Sequence, residues 1–489
     1  MTEFPLPAAY ADLEPAAVWQ QFGALNQIPR PSGAEDAARA YIQDLCRARG
    51  VRFQTDARGN ICVELPASGD NTGAPIVVLQ SHLDMVCQQR PGVAHDWTRD
   101  AVMPRRDGDQ ISATGTTLGA DNGLGAAMMV GILTSDNLTH PPLELLFTVE
   151  EETGLFGAAM LDPTLVKGRL LINLDSEDPD EITIGCAGGA DTTLRLPIQR
   201  APLPDALRWE ISVSGLAGGH SGIQIGEPLG NAIKILTQVV NAARIGAPEL
   251  RLIAIDGGTA HNAIPRDAVA HVAVPVAQGA DFDAAWKKSA DDLKEQWHED
   301  EPNLDITRAP SPHVEAPLDA ASTATTLELL RSLPHGVSKM SERFEGKVQT
   351  SSNLAEVVTS LGEVEIHVSN RSFVASDIQN MQEEQANLGV AAGALVEARD
   401  GYPGWEPRAQ SPLREQTAAV FERVTGTKPR VEVVHAGLEC GLLSEKLEDL
   451  DAVSFGPLIR GAHTPEEWAS ISSLAQTWQI LTVLLEELA

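Results

Sequence analysis

The chain has 489 residues, with 36 lysines and arginines against 68 aspartates and glutamates, and a formal net charge of −32. This acidic balance argues against binding to nucleic acid or to anionic membranes, because both are themselves negatively charged. The composition is that of a globular protein, 43% hydrophobic and 21% charged, and the length exceeds that of one ordinary core, so we expect two domains.

Membrane spans and disulfides are not expected. No apolar stretch approaches the roughly 18 residues that a membrane span requires, and residues 1–7 lack the basic and apolar regions of a secretory signal. The cysteines are odd in number and scattered, which argues against a disulfide framework; they are Cys46, Cys62, Cys87, Cys186 and Cys440. We therefore expect a cytoplasmic protein.

Short apolar runs alternate with helix-like segments in the first part of the chain. This alternation predicts an α/β architecture, a sheet with helices on both faces. The predicted helices span 15–25, 34–50 and 123–133, and the predicted buried strands span 76–80, 143–149 and 170–174.

The middle of the chain has a different pattern, in which half-buried, alternating strands lie between helices. It predicts an α+β layer with one open sheet face. The predicted strands span 207–213, 250–255, 268–276 and 363–368, and the predicted helices span 230–243 and 280–296.

The last part of the chain returns to the first pattern. Its predicted helices span 410–425 and 471–488, and its predicted strands span 430–435 and 452–455. Glycines at 188–189 and the breaker-rich segment 401–407 mark boundaries. We therefore predict one catalytic domain, residues 1–188 and 404–489, interrupted by an inserted domain at 189–403.

Acid and imidazole side chains follow the ends of the apolar runs. Ligands bind at the carboxyl ends of strands in doubly wound sheets, so we expect these side chains to meet on one rim. Two histidines and three carboxylates form a ligand list for two zinc-like ions: His82, Asp121, a glutamate of the run 150–152, Asp175 and His463. The set predicts metal-assisted hydrolysis.

His82 and Asp84 are two residues apart, so their side chains share a face in an extended segment. Asp84 can then accept a hydrogen bond from the imidazole nitrogen that does not bind metal, which fixes the tautomer. The alternative for this pair alone is a solvated turn.

Asp121 lies in the glycine-rich segment GTTLGADNGLGAA. The glycines allow a sharp turn and a close approach of the backbone to a metal, and the two oxygens of one carboxylate can bridge two ions. The alternative is a helix N-cap.

Three consecutive glutamates, Glu150, Glu151 and Glu152, follow an apolar strand. Adjacent acids repel, so they need a cation or solvent. One can bind metal while its neighbour takes a proton from water and passes it to the leaving nitrogen. The alternative is an exposed acidic turn, which is also open for Asp175.

His220 lies between glycines in GLAGGHSGIQI, within the inserted segment. An imidazole in such a loop could donate a hydrogen bond to a developing oxyanion. A structural histidine is the alternative.

Motifs in a fixed order extend this pattern over residues 81–467. They are SHLDMV, GTTLGADNGLG, EEETGLFGA, NLDSED with GCAGG, GGHSG, GGTAHNAIPR, TSSNLA, YPGW, HAGLECG and GPLIRGAHTPEE. In these motifs the chain resembles the M20 clan of metallopeptidases, and most closely the cytosolic aminoacyl-histidine dipeptidases within it.

The resemblance implies a site with two zinc ions, for which Mn²⁺ or Co²⁺ would also suit the N and O ligands. It implies that His82 and Asp175 hold one ion, that Glu152 and His463 hold the other, and that Asp121 bridges them. It also implies that Asp84 orients His82, that Glu151 is the general base and acid, and that the Asp121–Asn122 peptide bond is cis.

For the inserted domain the resemblance implies a lid that also forms a homodimer. His220 would polarise the scissile carbonyl, in the site of its own subunit or of the partner. Asn262 and Arg371 are the candidates for binding the substrate carboxylate, since arginine suits bidentate binding.

The predicted function is hydrolysis of dipeptides, both Xaa-His and other unblocked dipeptides. An aminoacylase or other amidase on the same scaffold is one alternative. A metal-binding protein without turnover is another, although such a protein would have no need of Glu151 as a base.

Overall fold

The computed structural model describes residues 4–68, 73–399 and 401–489, which form a mixed α/β fold with several sheets. Within these ranges no helix has both the length and the apolar character to cross a membrane. The chain divides into two units: residues 1–186, 405–433 and 438–489 form the first, and residues 187–404 and 434–437 form the second.

Helices occur along the whole chain. In order, they are α1 (Ala16–Leu25), α2 (Asp36–Arg49), α3 (Ala120–Thr134), α4 (Phe156–Ala159), α5 (Ala232–Gly246), α6 (Gly279–Gln296), α7 (Ala320–Ser332), α8 (Ala375–Ala392), α9 (Pro412–Thr425), α10 (Glu439–Lys446) and α11 (Ile471–Leu488).

Strands of the first half are β1 (Arg52–Thr55), β2 (Ile61–Leu65), β3 (Val77–His82), β4 (Pro104–Asp107), β5 (Gln110–Ala113), β6 (Leu143–Thr148), β7 (Leu170–Asn173), β8 (Glu181–Cys186), β9 (Gly188–Pro197), β10 (Ala206–Ser214) and β11 (Gly219–His220). The later strands are β12 (Arg251–Gly257), β13 (Ala263–Ile264), β14 (Ala268–Pro275), β15 (Asp305–Pro310), β16 (Gly336–Met340), β17 (Val348–Thr359), β18 (Glu363–Ser372), β19 (Leu395–Ala398), β20 (Arg430–Val434), β21 (Asp451–Ser454), β22 (Ile459–Arg460) and β23 (Trp468–Ser470).

The first unit is organised by a mixed sheet in the order β1-β2-β6-β3-β7-β21-β8-β20. Its centre is parallel: β3 pairs in parallel with both β6 and β7, and β21 pairs in parallel with β7. Every residue of β3 and of β6 is buried. Helix α3, rich in small apolar residues, packs on β3, and α9 packs on β21. Parallel central strands bring their carboxyl ends to one edge.

The second unit contains an antiparallel sheet in the order β15-β10-β14-β12-β17-β18-β9-β19, with β16 also paired to β17. Helix α5 packs on β10 and β14 and carries an apolar face of Ile233, Leu236 and Val240, all fully buried. Outside the sheet, the short strands β11 and β13 pair with each other and place His220 opposite Ala263.

Each helix and strand that the sequence pattern predicts is confirmed, with ends that differ by a few residues. The pattern misses β17, because its residues 350–353 read Thr-Ser-Ser-Asn and are nevertheless buried. Most of their polar groups find partners within the unit: the Ser351 hydroxyl, for example, lies 2.8 Å from His435 Nε2, whereas Asn353 Oδ1 has no hydrogen-bond partner among the described residues. Such a strand lacks the apolar signal on which strand prediction depends.

Candidate metal centre

The side chains that follow β3, β6 and β7 converge at one edge of the first unit. The parallel register pairs His82 with Thr148 and Gln80 with Asn173. His82 is therefore level with the end of β6, and Asp175 comes two residues beyond β7. The convergence follows from strand direction, as the sequence pattern predicts.

Asp121 lies between two histidines. Its Oδ1 is 3.1 Å from His82 Nε2, and its Oδ2 is 3.1 Å from His463 Nε2. Asp175 Oδ1 lies 3.4 Å from His82 Nε2, and Glu152 Oε2 lies 3.0 Å from His463 Nε2. Three overlapping groups of three potential ligands result among the described residues. Two of them, His82 with Asp121 and Asp175, and Asp121 with Glu152 and His463, share Asp121. The third consists of His82, Glu151 and Glu152.

The peptide bond between Asp121 and Asn122 is cis, as the family resemblance implies. Asp121 does not cap a helix with its side chain: Gly119 occupies the N-cap position of α3, and Asp121 itself has non-helical backbone angles. The side-chain amide of Asn122 donates to the Asp175 carboxylate and to the Leu174 carbonyl.

Asp84 is fully buried and contacts two parts of the site. Its Oδ1 lies 3.4 Å from His82 Nδ1, although the Asp84 carbonyl oxygen is nearer to that nitrogen, at 3.1 Å. The same carboxylate accepts backbone N–H bonds from Glu151 and Glu152, at 3.0 and 3.1 Å, and a bond from the Ser32 hydroxyl. Burial would raise the pKa of Asp84, but these donors outweigh it and lower the pKa to about 2. Asp84 is therefore an anion that fixes both His82 and the glutamate run.

The glutamate run divides by side-chain direction. Glu150, with a left-handed backbone (φ 52°), forms an ion pair with Arg58. Glu151 Oε2 lies 4.0 Å from His82 Nε2, and Glu152 approaches His463. Only the second and third glutamates of the run thus lie among the potential ligands.

The glycines on either side of Asp121 make room for an arginine. A Cβ on Gly119 would lie 2.5 Å from Arg30 Nη2, as would a Cβ on Gly123. Gly119 also has a left-handed backbone (φ 69°), which disfavours any side chain there. The glycine-rich segment therefore lets a buried guanidinium reach the loop.

The electrostatics of the cluster favour a cation. Hydrogen bonds that His463 donates to the carboxylates of Asp121 and Glu152 raise the pKa of His463 to about 11. Burial lowers the pKa of His82, but Asp175 and the neighbouring carboxylates raise it well above its ordinary value. The second carboxylate oxygen of Glu152 is buried with no hydrogen-bond partner. Carboxylates with imidazoles and an unpartnered oxygen are a donor set that fits divalent metal ions.

Of the other predicted residues, all in the second unit, two lie near each other. His220 Cε1 and Arg371 Cδ both lie against Gly222, within 3.1 and 3.2 Å of the point where a Cβ would stand. Arg371 is 7% exposed and donates through Nη1 to the Tyr402 hydroxyl at 2.6 Å. Asn262 is exposed, and its backbone carbonyl accepts a hydrogen bond from the Ser221 N–H at 2.9 Å.

Sequence reasoning missed three buried charged residues around the metal ligands: Arg30, Glu439 and Glu467. Glu439 accepts hydrogen bonds from Gln80 (2.6 Å) and Thr148 (2.7 Å), and burial raises its pKa to about 7. Two of these three residues lie inside motifs noted above: Glu439 in HAGLECG and Glu467 in GPLIRGAHTPEE. A charged residue within an otherwise apolar or glycine-rich motif was the available signal.

Comparison with known proteins identifies the family of the chain. Residues 78–487 match the sequence profile of Peptidase family M20/M25/M40. The chain is 38% identical to the cytosol non-specific dipeptidase of Escherichia coli (strain K12), over 98% of this chain and 99% of that protein.

Solved structures show the same likeness. The structure of aminoacylhistidine dipeptidase from Vibrio alginolyticus is similar with a TM-score of 0.87 and 34% identity, covering 100% of this chain and 99% of that one. Aminopeptidase PepT from Bacillus cereus ATCC 10987 shares the fold at a TM-score of 0.56 and 18% identity, with 97% and 99% covered.

The division of the glutamate run predicts different effects for two equivalent substitutions. Glu152→Gln should lower the amount of divalent metal that the protein retains, because a neutral amide replaces an anionic ligand. Glu150→Gln is the matched control and should leave metal content unchanged, since that side chain pairs with Arg58. Metal analysis after dialysis measures both, and equal losses in the two variants would contradict this assignment.

Proposed function

Because the chain belongs to peptidase family M20/M25/M40, we propose that it is a dizinc dipeptidase that cleaves Xaa-His and other unblocked dipeptides. The observation that carries the proposal is Asp121, whose two oxygens face two different imidazoles. His82 and Asp175 would hold one ion, Glu152 and His463 the other, and Asp121 both.

Zinc ions bound there would polarise the peptide carbonyl and lower the pKa of water. The protein's own part in proton transfer falls to Glu151. Burial raises the pKa of this carboxyl above its ordinary range, and Asp175, Glu152 and Glu439 raise it further. Bound cations oppose that shift, so Glu151 can take the proton of the attacking water and return it to the departing amine. The backbone N–H of Glu151 donates to Asp84, which holds the base in place.

His220 is the proposed donor to the developing oxyanion. Its Nδ1 accepts two backbone N–H bonds, from Gly222 and Ile223, each at 3.1 Å. Since those amides can only donate, Nδ1 carries the lone pair and the ring proton is on Nε2. A neutral imidazole with Nε2–H is a suitable oxyanion donor.

Arg371 is proposed to bind the carboxylate of the substrate, with Asn262 as a further contact. The guanidinium is nearly buried and its Nε has no hydrogen-bond partner among the described residues. A buried donor without a partner is costly, and a carboxylate would satisfy it. Recognition of a carboxylate next to the scissile bond would restrict cleavage to the last peptide bond of a substrate with a free C-terminus.

The remaining proposals follow from the name of one relative and from the family resemblance. The Escherichia coli relative is called a cytosol enzyme, and we propose the same compartment here. We also propose that residues 189–403 form a lid and the interface of a homodimer, which light scattering of the purified protein would test.

Turnover of alanyl-histidine against N-acetyl-histidine by the zinc-loaded protein is the direct test of the function. We expect hydrolysis of the dipeptide and its loss on dialysis against a chelator. Hydrolysis of the acylated amino acid alone would instead favour an aminoacylase.

Glu151→Gln tests the proton-transfer role. The amide keeps the volume of the side chain but cannot carry the proton, so kcat should fall by about 10²–10⁴ with zinc content unchanged. Steady-state kinetics and metal analysis on the same sample measure this. Glu150→Gln serves again as the control, and full activity of Glu151→Gln with normal zinc would refute the role.

Arg371→Lys tests recognition of the carboxylate. A lysine keeps the charge but lacks the planar, paired N–H donors of the guanidinium. Loss of a hydrogen bond to a charged group costs about 1.5–3 kcal/mol, which corresponds to a KM roughly 10- to 100-fold higher for dipeptides. The control is Arg195→Lys, on β9 of the same sheet, where the arginine pairs with Glu365 at the surface. Dipeptides with an amidated C-terminus should show no such change, and an equal change in both substrates would argue against carboxylate binding.

A further inference from the structure

Glu467 binds the loop that carries Asp121. One carboxylate oxygen accepts N–H bonds from Leu118 and Gly119 at 2.7 and 2.9 Å, and the other accepts from Ala120 and Asp121 at 2.7 and 3.3 Å. Four consecutive amides thus point at one side chain that is 2% exposed. Bonds from amides to a buried carboxylate are stronger than neutral ones, so the backbone of this loop is held tightly.

Arg30 holds the same loop from its carbonyl side. Its Nη2 donates to the Gly119 carbonyl at 2.6 Å, and its Nη1 donates to the carbonyls of Leu83 and Asp84 at 2.9 and 3.1 Å. Gly119 is therefore fixed through its N–H by Glu467 and through its C=O by Arg30. The guanidinium also ties the Asp121 loop to the segment directly after His82.

Glu467 is linked to His463 as well. The backbone between them turns tightly: the Thr464 amide donates to the Gly461 carbonyl at 3.2 Å, and the Glu467 amide donates to the Thr464 carbonyl at 3.1 Å. His463 has a left-handed backbone (φ 64°) within this turn. A displacement of Glu467 would therefore move His463 and the Asp121 loop together.

Two buried charges of opposite sign complete the arrangement. Burial lowers the pKa of the Arg30 guanidinium, and the Glu467 carboxylate is the strongest of the charges that raise it again. Removal of one member would leave the other buried and less compensated. This mutual dependence makes Arg30 and Glu467 one unit, which we call the loop clamp.

We propose that the loop clamp, Glu467 with Arg30, is a positioning device that sets the bridging carboxylate of Asp121 and the imidazole of His463 for metal binding. The proposal rests on the proposed two-metal site. It assigns Glu467 and Arg30 no contact with substrate: they act through the loop that presents a ligand. Outer-shell partners of this kind commonly change metal affinity by about 10- to 100-fold.

The test compares Glu467→Gln with Glu144→Gln. Glu144 is a matched control in the same unit, since it is 2% exposed and accepts backbone N–H bonds from Lys167 and Gly168 at 2.8 and 2.9 Å. Glutamine keeps the volume but replaces one acceptor oxygen with a donor that faces an amide. Both variants should lose thermal stability, and only Glu467→Gln should bind zinc about tenfold or more weakly.

Zinc affinity is measured by competition with a chromophoric chelator, and the visible spectrum of the Co²⁺-loaded protein reports the geometry at the metal. We expect a changed Co²⁺ spectrum for Glu467→Gln and an unchanged one for Glu144→Gln. Wild-type affinity and spectrum in Glu467→Gln would overturn the proposal, as would equal loss of affinity in both variants. If Glu467→Gln does not fold, the same two measurements on Arg30→Lys test the proposal, because lysine cannot reproduce the guanidinium hydrogen bonds to three carbonyls.

These measurements are independent of turnover. A wild-type protein that binds two metal ions but does not cleave dipeptides would refute the proposed activity and leave the loop clamp standing. A wild-type protein that binds fewer than two metal ions would refute both.

Discussion

The common direction of β3, β6 and β7 is the constraint on which the candidate metal centre depends. These strands are buried along nearly their whole length, and the charged side chains of the cluster lie at or beyond their carboxyl ends. Because the strands run parallel, those ends share one edge. Carboxylates that are far apart along the chain are thereby forced together, and their mutual repulsion is relieved by a bound cation or by protons.

The carboxylates at this edge fall into two kinds according to their partners. Asp84 and Glu467 accept hydrogen bonds from backbone amides and so organise the loops. Asp121 and Glu152 instead face imidazoles, and Glu152 retains an oxygen without a partner. Carboxylates whose oxygens accept backbone N–H bonds stabilise the loops. Carboxylates that lack such donors are suited to bind a metal ion.

Sequence reasoning located the potential ligands because their residue types follow apolar strands, a pattern visible over a few residues. The residue types alone did not show which of the three consecutive glutamates lies away from the cluster, since the partner of Glu150 is Arg58, in a distant segment. Sequence reasoning missed Arg30 and Glu467 for a related reason: both bind main-chain atoms, and a backbone amide or carbonyl carries no residue identity. The buried polar strand β17 was hidden in the same way, because most of its side chains are satisfied by tertiary contacts.

The first unit is assembled from segments on both sides of the second unit. His82, Asp121, Glu152 and Asp175 are synthesised early, but His463 and Glu467 emerge from the ribosome only after the whole second unit. A nascent chain, or one cut short by premature termination, therefore lacks both a ligand and half of the loop clamp. The candidate metal centre therefore cannot be completed until translation has passed the last of these residues.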